Sequence, residues 1–274
     1  MKKKLKIGIV GCGAIGSSLA RTVSRDLRSQ AELSALYDLD TVKATKLALR
    51  LSGKESLVVS TLDQLISRSD LVIEAAQANY SLEVARKAVL RSKDVMIMSV
   101  GGVVNNFSRL SKAADIHNAR IYIPSGAIAG IDALKAVKLG KISKVVLTTI
   151  KNPRSFKGVK YVADKHIDLD KIKKDTVLFS GSAREAMRFF PQNINVAGIL
   201  SLAGIGPVRT RVRIVASPRA SRNIHQIEID SQAGRISSRT ENVLHPDNPK
   251  TSYLAVLSAA ATLKQILAAP RIGT

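Results

Sequence analysis

The chain has a single cysteine, Cys12, and no tryptophan, with only five phenylalanines and five tyrosines among 274 residues. One cysteine excludes an intramolecular disulfide, and its place inside a glycine-rich stretch suits a small buried side chain; a cytoplasmic setting is the expectation. The four histidines, His117, His166, His225 and His245, are scattered without i, i+4 pairs or flanking acidic ligands, so no metal site is expected. No G-x-S-x-G nucleophile motif occurs, which argues against covalent catalysis. No apolar run approaches the roughly 18 to 20 residues that span a bilayer, so no membrane partner is expected. The start, Met1-Lys2-Lys3-Lys4-Leu5-Lys6, is basic, but the apolar segment behind it is broken by glycines and reads as a strand rather than a signal peptide.

Acidic residues are also in short supply, 21 against 43 Lys and Arg, for a net charge of +22. A field of that size draws in anionic substrates and polyanions. Yet the basic residues are spread along the chain and aromatics make up only 4% of it, which leaves little for base stacking. The locally basic run Val208 to Ile214 reads as a strand with Arg209, Arg211 and Arg213 on one solvated face and apolar side chains on the other. No specific nucleic-acid partner is expected, and any sequence-blind association should collapse with salt.

What is present begins at Leu5-Lys6-Ile7-Gly8-Ile9-Val10-Gly11-Cys12-Gly13-Ala14-Ile15-Gly16, a buried-strand pattern running into G-x-G-x-x-G and then a helix-forming run. Gly11 permits a tight turn, Gly13 lets the backbone approach a pyrophosphate, and Gly16 lets the helix pack close to the strand. The helix start, with Ala14 and Ile15, offers unpaired N–H groups and a positive dipole end to phosphates. Leu33 to Asp38 reads as a second strand ending in a carboxylate placed to accept from an adenosine ribose, which favours NAD over NADP. The competing readings are a glycine-rich turn without cofactor, and for Asp38 a helix cap.

Apolar runs at Leu57 to Ser60, Asp70 to Ala75, Asp94 to Val100 and Arg120 to Ile123 alternate with helical patterns. The fold expected is therefore α/β, with a Rossmann-type doubly wound parallel sheet in a dinucleotide-binding domain over residues 1–120. Beyond it, a helix over Ile131 to Leu139 precedes longer strands at Ile142 to Ile150, Val208 to Val215, Ile224 to Asp230 and Arg235 to Glu241. Two short helices, Ala183 to Phe189 and Asn195 to Ala203, lie between them. These predict a second α+β domain over 121–247, built on a mixed, partly open sheet. Residues 248–274 are expected to form a C-terminal helix returning to the first domain, with Asp247-Asn248-Pro249 as its cap and N1 proline.

Several segments together, in order and over nearly the whole chain, resemble the L-aspartate dehydrogenase family. They are Gly11 to Gly16, Glu74-Ala75-Ala76, Ser99-Val100-Gly101, Ile123-Pro124-Ser125-Gly126-Ala127-Ile128-Ala129-Gly130-Ile131-Asp132, Phe190 to Ala197, Asn223-Ile224-His225, Glu241-Asn242-Val243 and Asn248-Pro249-Lys250-Thr251-Ser252. The resemblance implies oxidation of L-aspartate to iminoaspartate with NAD or NADP, then hydrolysis to oxaloacetate and ammonia, and a possible supply of iminoaspartate to NAD biosynthesis. It also implies Ala129 and Asn195 as cofactor contacts and His225 as catalytic acid/base.

The residues themselves leave alternatives open. His225 shares a strand face with Ile227 and Ile229, as a hydrogen-bonded core histidine would; a neutral-range imidazole equally suits proton traffic at an amine. Ala129 and Asn195 also suit a turn and a cap. The two substrate carboxylates need basic or hydroxyl partners, for which Lys250 and Thr251 are the candidates, against a cap and a solvated lysine. A homodimer is the expected assembly. Other classes compatible with the residues are a different NAD(P)-linked reductase of similar architecture and a non-enzymatic dinucleotide- or nucleic-acid-binding protein.

Overall fold

A computed structural model of the chain describes residues 3–53, 55–190, 194–246 and 248–267. They divide into two compact units, one running to Pro124 and resumed from Val256, the other Ser125–Ala255.

Among the described residues, the first unit holds a parallel sheet of β1 (Leu5–Val10), β2 (Ala31–Tyr37), β3 (Leu71–Glu74), β4 (Asp94–Ile97) and β5 (Ile121–Tyr122), in the order β2-β1-β3-β4-β5. The intervening helices are α1 (Ala14–Arg21), α2 (Thr41–Ser52), α3 (Leu62–Ser67), α4 (Ala78–Val89) and α5 (Phe107–Ile116). β1 and β3 are continuous apolar runs because parallel strands covered on both faces must bury every position: Ile7, Ile9, Leu71, Val72 and Ile73 have no exposed surface. The run Leu57 to Ser60, expected as a strand, is a correction. Only Val58 pairs with β2, through one parallel bridge to Leu36, after a 3-10 turn at Glu55–Leu57. A single bridge is too short to extend the sheet.

The second unit carries α6 (Ile131–Val137), β6 (Ile142–Lys151), α7 (Lys160–Asp164), β7 (Thr176–Ser182), α8 (Ala183–Phe189), α9 (Ile194–Ala203), α10 (Gly206–Arg209), β8 (Arg211–Ala216), β9 (Asn223–Ser231) and β10 (Gly234–Asn242). Its sheet has the order β10-β9-β6-β8-β7, mixed because β6 and β8 run parallel while the other pairs are antiparallel. One face buries Val145, Leu147, Ile227, Ile229, Val212 and Ile214. The other is wet and carries the ion pairs of Lys144 and Arg235 with Glu228 and Asp230. The aromatic poverty of the chain is offset by concentration: Phe156, Tyr161, Phe179, Phe189 and Phe190 pack ring on ring around β7 and α8. The basic strand needs one correction. Gly206, at φ +83°, and Pro207 start a helical turn through Arg209, so Arg211 and Arg213 share the exposed face of β8 while Arg209 donates to the Ile142 carbonyl at 3.2 Å.

β11 (Leu244–His245) and β12 (Asn248–Ser252) form a small antiparallel hairpin, and α11 (Tyr253–Leu267) follows directly. The expected proline-capped helix start is thus overturned: Asn248 and Pro249 lie in a strand, Asp247 falls outside the described residues, and the helix begins four residues after the proline. Strand pairing outweighs a local capping signal. From Val256 onward α11 belongs to the first unit, where Ala259 and Leu263 join the core around Ile7, Ile9 and Leu36. Among the described residues no helix is long and apolar enough to cross a membrane.

Candidate active site

The first unit places Gly11, Gly13, Ala14, Ile15, Gly16 and Asp38 together at the C-terminal edge of β1 and β2. Gly11 takes φ +92°, and a Cβ there would run into the Ala75 carbonyl. A Cβ on Gly16 would overlap the Gly11 carbonyl, so the helix lies against the loop closely enough to require glycine. Gly13 differs: a Cβ there would meet nothing within 4 Å. Its glycine answers to no neighbour in the protein and leaves an open approach over the first turn of α1. Gly13 is the N-cap of that helix without a side-chain hydrogen bond, and the first turn carries no acidic residue. These features fit the pyrophosphate of a dinucleotide, whose charge the free N–H groups and the helix dipole would receive.

Asp38 lies one residue past β2. Its Oδ2 accepts from the Cys12 N–H at 2.6 Å and its Oδ1 from the Asp40 N–H at 2.9 Å. The carboxylate therefore ties the glycine loop to the end of β2. Burial and the nearby Asp38 push the Cys12 thiol up to about 12, so it stays protonated and is no nucleophile.

At the ends of β3 and β4, Glu74 is fully buried. Its Oε1 accepts from Ala76 N–H at 2.9 Å, and its Oε2 from Ser99 N–H at 2.9 Å and Ser81 Oγ at 3.0 Å. Burial raises its pKa above the usual carboxylate range, against the pull of those donors. The motif segments Glu74-Ala75-Ala76 and Ser99-Val100-Gly101 thus meet through one side chain, which braces two loops at the edge where doubly wound sheets bind ligands.

In the second unit His225 sits on β9, buried with 6% exposure, directly opposite Thr149 of β6. Thr149 Oγ1 and His225 Nδ1 share a hydrogen bond of 3.0 Å, which engages one ring nitrogen and leaves Nε2 for other partners. Desolvation, and then the charge of Lys151, hold the imidazole down at about 3, so it is neutral at ordinary pH. Lys151 lies two residues beyond Thr149 on the same face of β6, and burial lowers its amine to about 8. Neither Thr149 nor Lys151 was among the expected site residues. The signal was available: the alternation that buries Val145 and Leu147 continues to Thr149 and Lys151, a polar end to an apolar stripe.

Thr240 of β10 stands opposite His225 on the other side of β9. Its hydroxyl donates to the Ala127 carbonyl at 2.9 Å, and Asn242 Nδ2 donates to the same carbonyl at 3.1 Å. Ser238 Oγ donates to the Ala129 carbonyl at 3.0 Å. The loop that carries Ala129 is thereby pinned along β10, with the Ala129 side chain itself exposed. Asn195 is exposed in the first turn of α9. Thr251 is half-buried in β12, and the side chain of Lys250 lies outside the described residues. The remaining histidines separate clearly. His166 is exposed at φ +51°, His117 caps the end of α5, and His245 is buried with its ring edge-on to Tyr253 at 5.5 Å. Among the described residues no cluster of His, Cys, Asp and Glu is arranged to hold a metal ion.

Residues 132–266 match the family described as "Aspartate dehydrogenase, C-terminal", and residues 11–124 match "Homoserine dehydrogenase, NAD binding domain". The chain is 45% identical to L-aspartate dehydrogenase of Methanosarcina acetivorans and 43% identical to that of Methanosarcina barkeri, each alignment covering 98% of this chain and 100% of the relative. The crystal structure of aspartate dehydrogenase from Thermotoga maritima superposes with a TM-score of 0.73 at 28% identity, over 99% of this chain and 100% of that one. With both units matched and the polar end of the second sheet built around His225, the chain belongs to the aspartate dehydrogenase family.

Proposed function

We infer that the protein catalyses NAD(P)-dependent oxidation of L-aspartate to iminoaspartate, which water then converts to oxaloacetate and ammonia. The observation that carries the reading is the buried, neutral imidazole of His225, oriented through Nδ1 by Thr149 in a chain whose relatives are L-aspartate dehydrogenases.

A bound nicotinamide supplies the acceptor for the hydride that leaves the substrate Cα. The protein's part is to hold the dinucleotide, position the amino acid and manage protons. Gly11, Gly13, Gly16 and the N–H groups at Ala14 and Ile15 would hold the pyrophosphate, Asp38 would receive the ribose, and Ala129 and Asn195 would be further contacts. As the Cα–H bond breaks, the amine lone pair forms C=N and the nitrogen gives up a proton, which His225 accepts at Nε2. Two substrate carboxylates near the ring raise its basicity from the value burial imposes, because a neighbouring anion favours the imidazolium. The imidazolium returns that proton to the imine nitrogen; the ring, neutral again, accepts a proton from the water that adds to the imine carbon and passes it to the nitrogen, and ammonia departs as the added hydroxyl loses its proton to form the ketone of oxaloacetate. Thr251 and Lys250 are candidates for a substrate carboxylate.

A supply of iminoaspartate to NAD biosynthesis, a homodimeric assembly and a cytoplasmic setting extend this reading. They accord with a two-unit metabolic dehydrogenase. The test is absorbance at the reduced-nicotinamide band with a panel of amino and hydroxy acids. Aspartate should be the strongly preferred substrate with at least one of NAD and NADP. Turnover of homoserine or another hydroxy acid in its place would overturn the reading, and dinucleotide binding without any turnover would favour a binding protein.

A further inference from the structure

We propose that Lys151 is a substrate-binding residue, whose ammonium receives a carboxylate of the amino-dicarboxylic acid beside His225; the proposal rests on the dehydrogenase reading above.

The position is set by register. Thr149 pairs with His225 across β6 and β9, and Lys151 follows on the same face of β6 at its last residue, opposite Ala216 of β8. The backbone beneath is held firmly. The Lys151 carbonyl accepts from Ser217 N–H at 2.8 Å, and the next residue, Asn152, donates through Nδ2 to the Ala220 carbonyl at 3.4 Å while its Oδ1 caps the following turn. These bonds tie the end of β6 to the segment that follows β8 and fix the point at which the Lys151 side chain leaves the strand.

The charge is also placed at a cost. A lysine on the face that buries Val145, Leu147 and Thr149 is partly stripped of water, and its positive charge weakens the basicity of His225 beside it. Both costs are relieved by an anion. A carboxylate set between the two side chains pairs with the ammonium and restores the proton affinity of the imidazole. One residue thereby links recognition of the acid to activation of the base. A monoacid or an uncharged substrate brings no carboxylate to this ammonium and gains no such relief, and this gives the site its selectivity for dicarboxylates.

The test uses Lys151→Met, Lys151→Gln and Lys151→Arg in the full chain. Lys151→Met and Lys151→Gln should raise the KM for aspartate by about ten- to a hundredfold, the loss of one charge-assisted hydrogen bond, with kcat changed far less and NAD affinity retained. Lys151→Arg should recover part of the loss. A fall in kcat at unchanged aspartate KM would overturn the proposal, since it would make Lys151 a proton carrier or a structural residue. On the unaltered protein, succinate should shield Lys151 from acetic anhydride, read by peptide mass spectrometry; labelling indifferent to succinate overturns the proposal without depending on a variant's folding. If the unaltered protein fails to oxidise aspartate, the dehydrogenase reading fails. If it succeeds and Lys151→Met keeps the original KM, only the role of Lys151 fails.

Discussion

Thr149 and His225 stand 76 residues apart in the chain and 3.0 Å apart in space, paired across β6 and β9 with Oγ1 on Nδ1. Both are buried, so the bond is shielded from water and sets which ring nitrogen remains for chemistry. Replacing His225 by Ala or Asn should lower aspartate oxidation by roughly a hundredfold to ten-thousandfold, the range for losing a general acid/base, with NAD affinity nearly unchanged. Steady-state kinetics and an NAD titration on the same preparation check it. Turnover close to the original rate in a folded variant would make His225 an ordinary core histidine.

The glycines of the first loop should separate into two kinds. Gly13→Val projects a branched side chain into open space, so the fold should persist while dinucleotide affinity falls severely. Gly16→Ala drives a methyl group into the Gly11 carbonyl, so stability should fall as well, by about 1 to 3 kcal/mol for an overpacked site. Thermal melts with NAD titrations distinguish the two. Undiminished NAD affinity in Gly13→Val would mean the phosphate loop is misassigned.

Asp38 combines a charge with two hydrogen bonds to the backbone. Asp38→Asn keeps an acceptor for the Cys12 N–H and removes the repulsion of a 2′-phosphate, so it should narrow or reverse a preference for NAD over NADP with little loss of stability. Asp38→Ala also releases the loop and should weaken both cofactors. Ratios of kcat/KM for NAD and NADP in the two variants check this. Equal losses with both cofactors in Asp38→Asn would leave the residue a structural tie alone.

Acid should destabilise the protein in a window that His225 defines. Its folded pKa of about 3 lies below the ordinary value of 6.5, so between those pH values the unfolded chain binds a proton that the folded chain refuses. Stability therefore falls as pH drops from about 6.5 towards 3, by on the order of a few kcal/mol. Urea midpoints of the original protein and His225→Asn across that range should diverge, with the variant losing less. Parallel curves would place the imidazole in a wetter setting than the structure gives it.

How much of this was legible beforehand depended on the distance over which each signal acts. The β1-loop-α1 turn, the carboxylate after β2 and the apolar runs of β1, β3 and β4 are local patterns, with glycine spacing, period and order all within a few dozen residues, and they are legible directly; the run Leu57 to Ser60 looks the same in sequence but pairs through a single bridge. Asp247-Asn248-Pro249 is local too, but as a helix cap it misleads, because Asn248 pairs with His245 and both Asn248 and Pro249 lie in a hairpin strand instead. β7 went unseen because a register shift between Val177 and Phe179 breaks the alternation that would reveal a strand.

The sequence by itself determined that the chain carries a dinucleotide loop and a histidine on an apolar strand face, since glycine sterics and the two-residue period of a strand hold wherever the strand is placed. Only the tertiary structure decided that this histidine faces Thr149 and shares its end of the sheet with Lys151. Strand order and register arise from pairing between segments far apart in the chain, and a shift of one residue would have turned both side chains to the opposite, solvated face.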